Sequence, residues 1–307
     1  GRSTSEKQSI RQYRRAVKEA ASGRLAESFE RLDKLGAVQA CQLGDQQERL
    51  ADEYLRLAED GQSLVVVAQT WAEVHRVNER VRDKLKSKGL VAADDHQVEV
   101  LEKVDLTTAQ KRDERFFGSD QTVVFNQPLR GFTPGTRGKL SGILKRGVLV
   151  EVGGKMLLVP RRQLDRINIC RSMPIALARG DRLQLKANRR LSTGQTVTNG
   201  ELVTVKSVRT DGRIDLADGR TLDAGFREFL PGYAITSYGS QGKTVDFVLF
   251  SDSAVRSATD RRQWYVTISR GRRGIRIFTP DKEQLRENVI RSGNQPLALD
   301  LVAGRVH

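Results

Sequence analysis

Apolar residues recur at helical spacing through the N-terminal segment. Ile10, Tyr13 and Val17 share one face of a stretch rich in Lys, Arg, Gln and Ala, which predicts a helix over 5–21 ended by Gly23. A second helix is expected over 25–35, closed by Gly36, and a third over 45–57, closed near Gly61. The pattern then changes. Residues 63–68 form a Leu/Val run of the kind that fills a buried strand. Gln69-Thr70-Trp71 follows, and 72–88 places Val74, Val77, Val81 and Leu85 on one helical face. Strand, Thr-bearing turn and helix make half of an α/β unit.

From Gln121 the chain is Gly-punctuated, with short β-rich runs at 122–125, 138–144, 148–152, 155–159, 182–186, 202–208 and 213–216. Gly153-Gly154, Asp211-Gly212 and Asp218-Gly219 are hairpin signals. The α/β character returns after Tyr233. An apolar strand is expected over 245–250, a further strand running into Ser269-Arg270, another strand over 274–279 and a helix over 281–292. The expected organisation is therefore a helical segment (1–62), an α/β domain in two parts (63–120 and 226–295), an inserted all-β module of SH3- or OB-like small-barrel type (121–225), and a tail (296–307).

Charge narrows the partners. The net charge is +15, with a concentration at 161–190, where nine basic residues face two acidic ones. That excess favours a polyanion, most simply nucleic acid. No run reaches the ~18 apolar residues of a membrane span, so no membrane insertion is expected. The N-terminus is not a signal peptide, and it lacks an initiator Met, which makes a piece of a longer chain the expectation. Cys41 and Cys170 are too few for a zinc site or a disulfide framework, so no metal site and a reduced, cytoplasmic setting are expected.

Two segments carry candidate chemistry. In 232–246, Gly239 and Gly242 let backbone N–H groups approach a phosphate, while Thr236, Ser237 and Ser240 add hydroxyl donors suited to a DNA backbone. Gln241 is placed to bridge backbone and nucleotide. Gly242-Lys243-Thr244 is not a phosphate-binding Walker A loop, because that motif needs Gly where Ser237 stands. No strand ends in Asp-Glu to bind Mg²⁺. In 263–279, Arg270 at the end of an apolar stretch can stabilise charge on a transferred phosphoryl group. Arg272, Arg273 and Arg276 read as surface or DNA-backbone charges. Thr70 opens a helix, which serves either a phosphate or simple N-capping. Trp71 reads as helix packing more readily than as a base stack. Asn188 either buttresses the Asn199-Gly200 turn or meets DNA.

The Tyr233–Asp246 and Gln263–Thr279 segments resemble motifs V and VI of superfamily 1 helicases. With 13–17, 32–38, 64–78 and 180–205 they give nearly the whole chain a resemblance to the helicase region of conjugative relaxases of the TraI/TrwC (MobF) type, in the RecD-like branch. The resemblance implies a RecA-like second helicase domain within a 5′–3′ ATP-dependent DNA helicase. It implies single-stranded DNA on Thr70, Thr236, Ser237, Ser240 and Asn188. It implies ATP on Gln241, Gly242 and Arg270, with Arg270 as the arginine finger. ATP and Mg²⁺ would belong to the full-length protein, none binding tightly to this chain, which would not hydrolyse ATP alone. Implied partners are the relaxase and ATP-binding domains and a conjugative coupling protein, in the bacterial cytoplasm with translocation during conjugation. The alternative is a non-catalytic DNA-binding or secretion-channel docking (translocation-signal) module. A third reading is a degraded helicase remnant.

Overall fold

A computed structural model describes residues 3–42, 44–106, 110, 115, 118, 121–237, 244–253 and 261–291. The chain opens with α1 (Thr4–Ala21), α2 (Leu25–Lys34), β1 (Val38–Ala40), α3 (Gln46–Glu59), β2 (Leu64–Ala68) and α4 (Trp71–Ser87). A run of strands follows: β3 (His96–Lys103), β4 (Gln121–Phe125), β5 (Arg137–Leu144), β6 (Gly147–Val152), β7 (Lys155–Pro160), β8 (Ile167–Leu177) and β9 (Arg182–Leu185). It continues with β10 (Arg189–Arg190), β11 (Thr196–Val197), β12 (Leu202–Val208), β13 (Ile214–Leu216), β14 (Thr221–Leu222) and β15 (Phe229–Pro231). Last come β16 (Ala234–Thr236), β17 (Val245–Ser251), α5 (Arg261–Ile268), β18 (Gly271–Thr279) and α6 (Lys282–Arg291).

Two compact units result: one from residues up to Lys88 and from Tyr233 onward, the other from Gly89 to Gly232. The first is α/β. Its sheet has the order β1-β18-β17-β2-β16, and every neighbouring pair is parallel. All five residues of β2 are buried, as a strand covered on both faces requires. Helices α3 and α4 pack together, as do α1, α2, α5 and α6, and each group lies on the sheet. In α1, Ser3 caps the first turn by accepting the Glu6 N–H at 3.2 Å, and Ile10, Tyr13, Ala16 and Ala20 face inward. This is the mixed α/β class, interrupted by a β-rich module, that the sequence predicts.

The second unit is built of antiparallel sheets ordered β3-β8-β4-β5-β6-β7 and β14-β13-β12-β9-β15, with β10-β11 beside them. Its two larger apolar cores lie around Phe229 and Leu185 and around Phe125 and Val150, with a small cluster of Leu101, Val124 and Cys170 beside them. Gly153 and Gly154, both at positive φ (57° and 78°), close the two-residue hairpin between Val152 and Lys155. The unit begins at Gly89 and ends at Gly232, rather than at 121 and 225 as the sequence reading placed the module. The reason is pairing: β3 matches β8 from His96–Leu177 to Lys103–Cys170, and β15 adds to β9. Among the described residues no helix is long and apolar enough to cross a membrane.

Candidate nucleotide and nucleic-acid site

The parallel sheet has two chemically different edges. At the carboxyl edge, β2 and β16 end side by side, with Thr236 in register with Ala68. Two residues past Ala68, Thr70 is extended (φ −126°, ψ 151°) and its hydroxyl accepts the Glu73 N–H at 3.2 Å, so it is the N-cap of α4. Capping uses one lone pair and leaves the exposed hydroxyl its proton to donate. Thr236 is half-buried; Ser237 is buried and its Oγ accepts from Gln263 Nε2 at 3.3 Å. Thr70, Thr236 and Ser237 therefore share one edge of one sheet, where open α/β sheets take their ligands. Trp71, expected to pack, is 44% exposed and lies against His75.

Beneath that edge runs a buried polar network that sequence reasoning did not find. Gln46 Nε2 approaches Ser251 Oγ (3.0 Å), Asp252 O (2.8 Å) and Phe278 O (3.1 Å), tying the ends of β17 and β18 to α3. Ser251 donates to Glu73, and Thr279 donates to Asp252 at 2.7 Å. Gln69 Oε1 accepts from both N–H and hydroxyl of Ser253, at 2.8 and 2.6 Å. The only hint in the sequence is polar residues directly after apolar strands.

Glu73 is the strained member. Burial pushes its carboxyl above the usual range, against the hydrogen bonds from Ser251 and the Gln69 backbone, and Asp252 adds to the rise. Its Oε2 has no hydrogen-bond partner among the described residues. A carboxyl raised in the folded state contributes stability that is complete below the unfolded value and lost as pH rises through the folded one. Glu73→Gln keeps the acceptor and removes the charge. The variant's urea midpoint is expected to rise above wild type at pH 8, with the gap closing toward pH 4. A gap independent of pH would count against the buried charge.

Arg270 occupies the opposite, amino edge. It sits between α5 and β18, and its carbonyl accepts the N–H of Val245, the first residue of β17, at 3.1 Å. The side chain is half-buried, Nε donates to Val266 O at 3.1 Å, and burial lowers its pKa without discharging a guanidinium. The Tyr13 hydroxyl of α1 reaches the carbonyls of Ile268 and Gly271 (3.0 Å to the latter), fixing the turn on both sides of Arg270. A Cβ on Gly271 would lie 2.4 Å from Gly274 O and 2.8 Å from the Tyr13 hydroxyl, so only glycine fits.

The strand expected before Ser269-Arg270 is a helix, α5. Trp264, Thr267 and Ile268 are fully buried at i, i+3 and i+4, and that helical spacing overrides the β-branched run Val266-Thr267-Ile268. The other basic residues of the motif are engaged within the fold. Arg272 pairs with Asp246 at 3.2 Å, Arg273 with Glu6, and Arg276 with Glu53 at 3.2 Å. Burial would raise Asp246, but the Ser63 N–H and hydroxyl and the Arg272 charge hold its carboxyl below the usual range.

Ser240, Gln241 and Gly242 lie outside the described residues; their segment joins the carboxyl end of β16 to the amino end of β17. Asn188 belongs to the β unit, where its Oδ1 accepts the Asn199 N–H at 2.8 Å, the buttressing role. In the basic stretch, Arg189 pairs with Glu228 at 2.6 Å, Arg171 with Glu102 at 3.1 Å, and Arg166 donates to Pro128 O at 3.0 Å. No group of His, Cys, Asp or Glu among the described residues could hold a metal ion.

No protein-family model matches this chain, and no curated protein does. Among solved structures it is similar to Pif1 helicases, which belong to superfamily 1. Against Pif1 from Bacteroides in complex with ADP-AlF3 and single-stranded DNA, identity is 15% and the TM-score 0.26, covering 79% of this chain and 44% of that one. Against unliganded Pif1 from Bacteroides sp the values are 14% and 0.29, covering 89% and 50%. Against Pif1 from Candida albicans they are 15% and 0.27, covering 78% and 53%. The chain spans about half the length of these structures. Likenesses this distant assign neither an activity nor a site residue.

Proposed function

We propose that this chain is the second motor domain, with its β module, of a superfamily 1 DNA helicase that moves 5′ to 3′, of the conjugative relaxase type its motifs resemble. The observation that carries the reading is the split between the sheet edges: hydroxyl donors suited to a phosphate backbone at the carboxyl edge, one arginine suited to a nucleotide at the amino edge. A translocating domain needs both on one rigid body, so that nucleotide state and strand grip move together.

In this reading Thr70, Thr236, Ser237 and Ser240 hold single-stranded DNA. Arg270, with Gln241 and Gly242, meets ATP and Mg²⁺ held by another domain of the full protein; the described residues supply a charge there but no metal ligands. Alone, the chain turns over no ATP. A relaxase domain and a conjugative coupling protein are the further partners this parentage proposes, with passage into the recipient cell.

The test is anisotropy of fluorescent oligo-dT. Thr236→Val and Thr70→Val keep shape and remove the hydroxyl. Each is expected to weaken single-strand binding about tenfold, the size of one hydrogen bond to a charged phosphate oxygen. Affinity within twofold of wild type for both variants would overturn the assignment of this edge.

A further inference from the structure

Helix α1 carries a charge pattern that the motor reading does not use. Lys7, Arg11, Arg14 and Lys18 are spaced four, three and four residues apart, all exposed, on the face opposite buried Ile10, Tyr13, Ala16 and Ala20. At ~1.5 Å per residue the stripe runs about 17 Å along the surface. None of the four pairs with an acid among the described residues. Other arginines of the same unit do find acids: Arg31 pairs with Glu19, Arg56 with Glu53 and Arg286 with Glu30. Like charges at i,i+3 and i,i+4 weaken a helix, so the stripe works against the fold unless something anionic lies on it.

The partner is a polyanion that stays outside. A basic amphipathic helix binds membranes by burying its apolar face in lipid, but here that face is already packed on α2, α5 and β18. What remains is a row of exposed cations suited to successive phosphates rather than to a single small anion. We propose that α1 is a second nucleic-acid contact, a rail for the sugar-phosphate backbone of single-stranded DNA through Lys7, Arg11, Arg14 and Lys18. It is separate from the strand ends that carry Thr70 and Thr236, and it rests on the proposed function only in sharing that partner. Such a rail holds a strand without reading its sequence.

Salt dependence separates the two contacts. Each neutralised phosphate of a single strand contributes about −0.7 to the slope of log K against log salt. The variant K7Q/R11Q/R14Q/K18Q keeps helix-favouring side chains, so α1 is retained, as circular dichroism checks. With oligo-dT its slope is expected to be shallower than wild type by about 3, four phosphates' worth, and each single variant shallower by about 0.7. Thr236→Val should lower affinity with the slope unchanged. A quadruple-variant slope within 0.5 of wild type overturns the rail, and the carboxyl-edge grip stands if Thr236→Val still weakens binding. No oligo-dT binding by wild type at low salt removes both. Tight binding to phosphatidylserine vesicles, lost in the quadruple variant, assigns the stripe to a lipid surface and overturns the proposal.

Discussion

Arg270→Ala, in a protein that joins this chain to an ATP-holding domain, is expected to lower kcat for DNA-stimulated ATP hydrolysis about 10³-fold or more, the range of an arginine finger. That is roughly 4 kcal/mol of transition-state stabilisation. KM for ATP should move far less, because in the proposed role the guanidinium would act on charge that develops only during transfer. Three features of the site support the size of the effect. Nε is tied to Val266 O at 3.1 Å, so the stem is fixed. The two terminal nitrogens have no partner among the described residues and keep their fork free. Tyr13 and Gly271 hold the turn, so little ordering remains to be done at the moment of reaction. Arg270→Lys keeps the charge and loses the fork, so it should recover only a small part of the rate. Oligo-dT affinity should be unchanged in both variants, because the hydroxyls assigned to the strand lie at the other edge. Steady-state hydrolysis with saturating DNA checks the first claim, anisotropy the second. Turnover within tenfold of wild type would place the finger elsewhere.

Buried strands announce themselves by composition, and the Leu/Val run of β2 is read without ambiguity. Helices α1 and α4 follow from spacing, because one face of each is buried and the other is not. The Gly153-Gly154 hairpin follows from backbone sterics alone. The 264–269 stretch misleads because its β-branched residues favour a strand locally, and only the packing of Trp264 and Ile268 selects the helix. The start of the β module misleads because β3 finds its partner β8 some seventy residues later.

The candidate site divides the same way. Glycine, hydroxyl and arginine positions are visible as types, so Thr70, Thr236, Ser237 and Arg270 could be named from the sequence. That they fall on opposite edges is a property of strand order and could not be. The Gln46–Ser251–Glu73 network was out of reach, since Gln46 and Ser251 are far apart in the chain and meet only through the packing of α3 on β17.

Trp264→Ala should be the most destabilising single change in the α/β unit, at about 3–5 kcal/mol. Against a total stability of roughly 5–15 kcal/mol, that brings the unit close to unfolding. The indole is fully buried, its ring lies 5.7 Å from that of Phe29, and Nε1 donates to the buried Ser28 hydroxyl at 3.2 Å. Truncation opens a large cavity between α2 and α5 and leaves that hydroxyl without its donor. Trp264→Phe separates the two contributions: it restores most of the ring and leaves only the Ser28 loss, about 1–3 kcal/mol. The chain has two tryptophans. Trp71 is exposed, so the buried emission of wild type comes from Trp264, and its red shift in urea follows the unfolding of α5. Midpoints for the variants come from circular dichroism on the same samples. Because α5 ends at the Arg270 turn, loosening it also removes what holds the guanidinium in place. In a protein that joins this chain to an ATP-holding domain, Trp264→Phe should therefore leave ATP turnover nearly intact while Trp264→Ala loses it at temperatures where the fold still persists. Equal turnover for the two variants would mean that Tyr13 and Gly271 alone position Arg270.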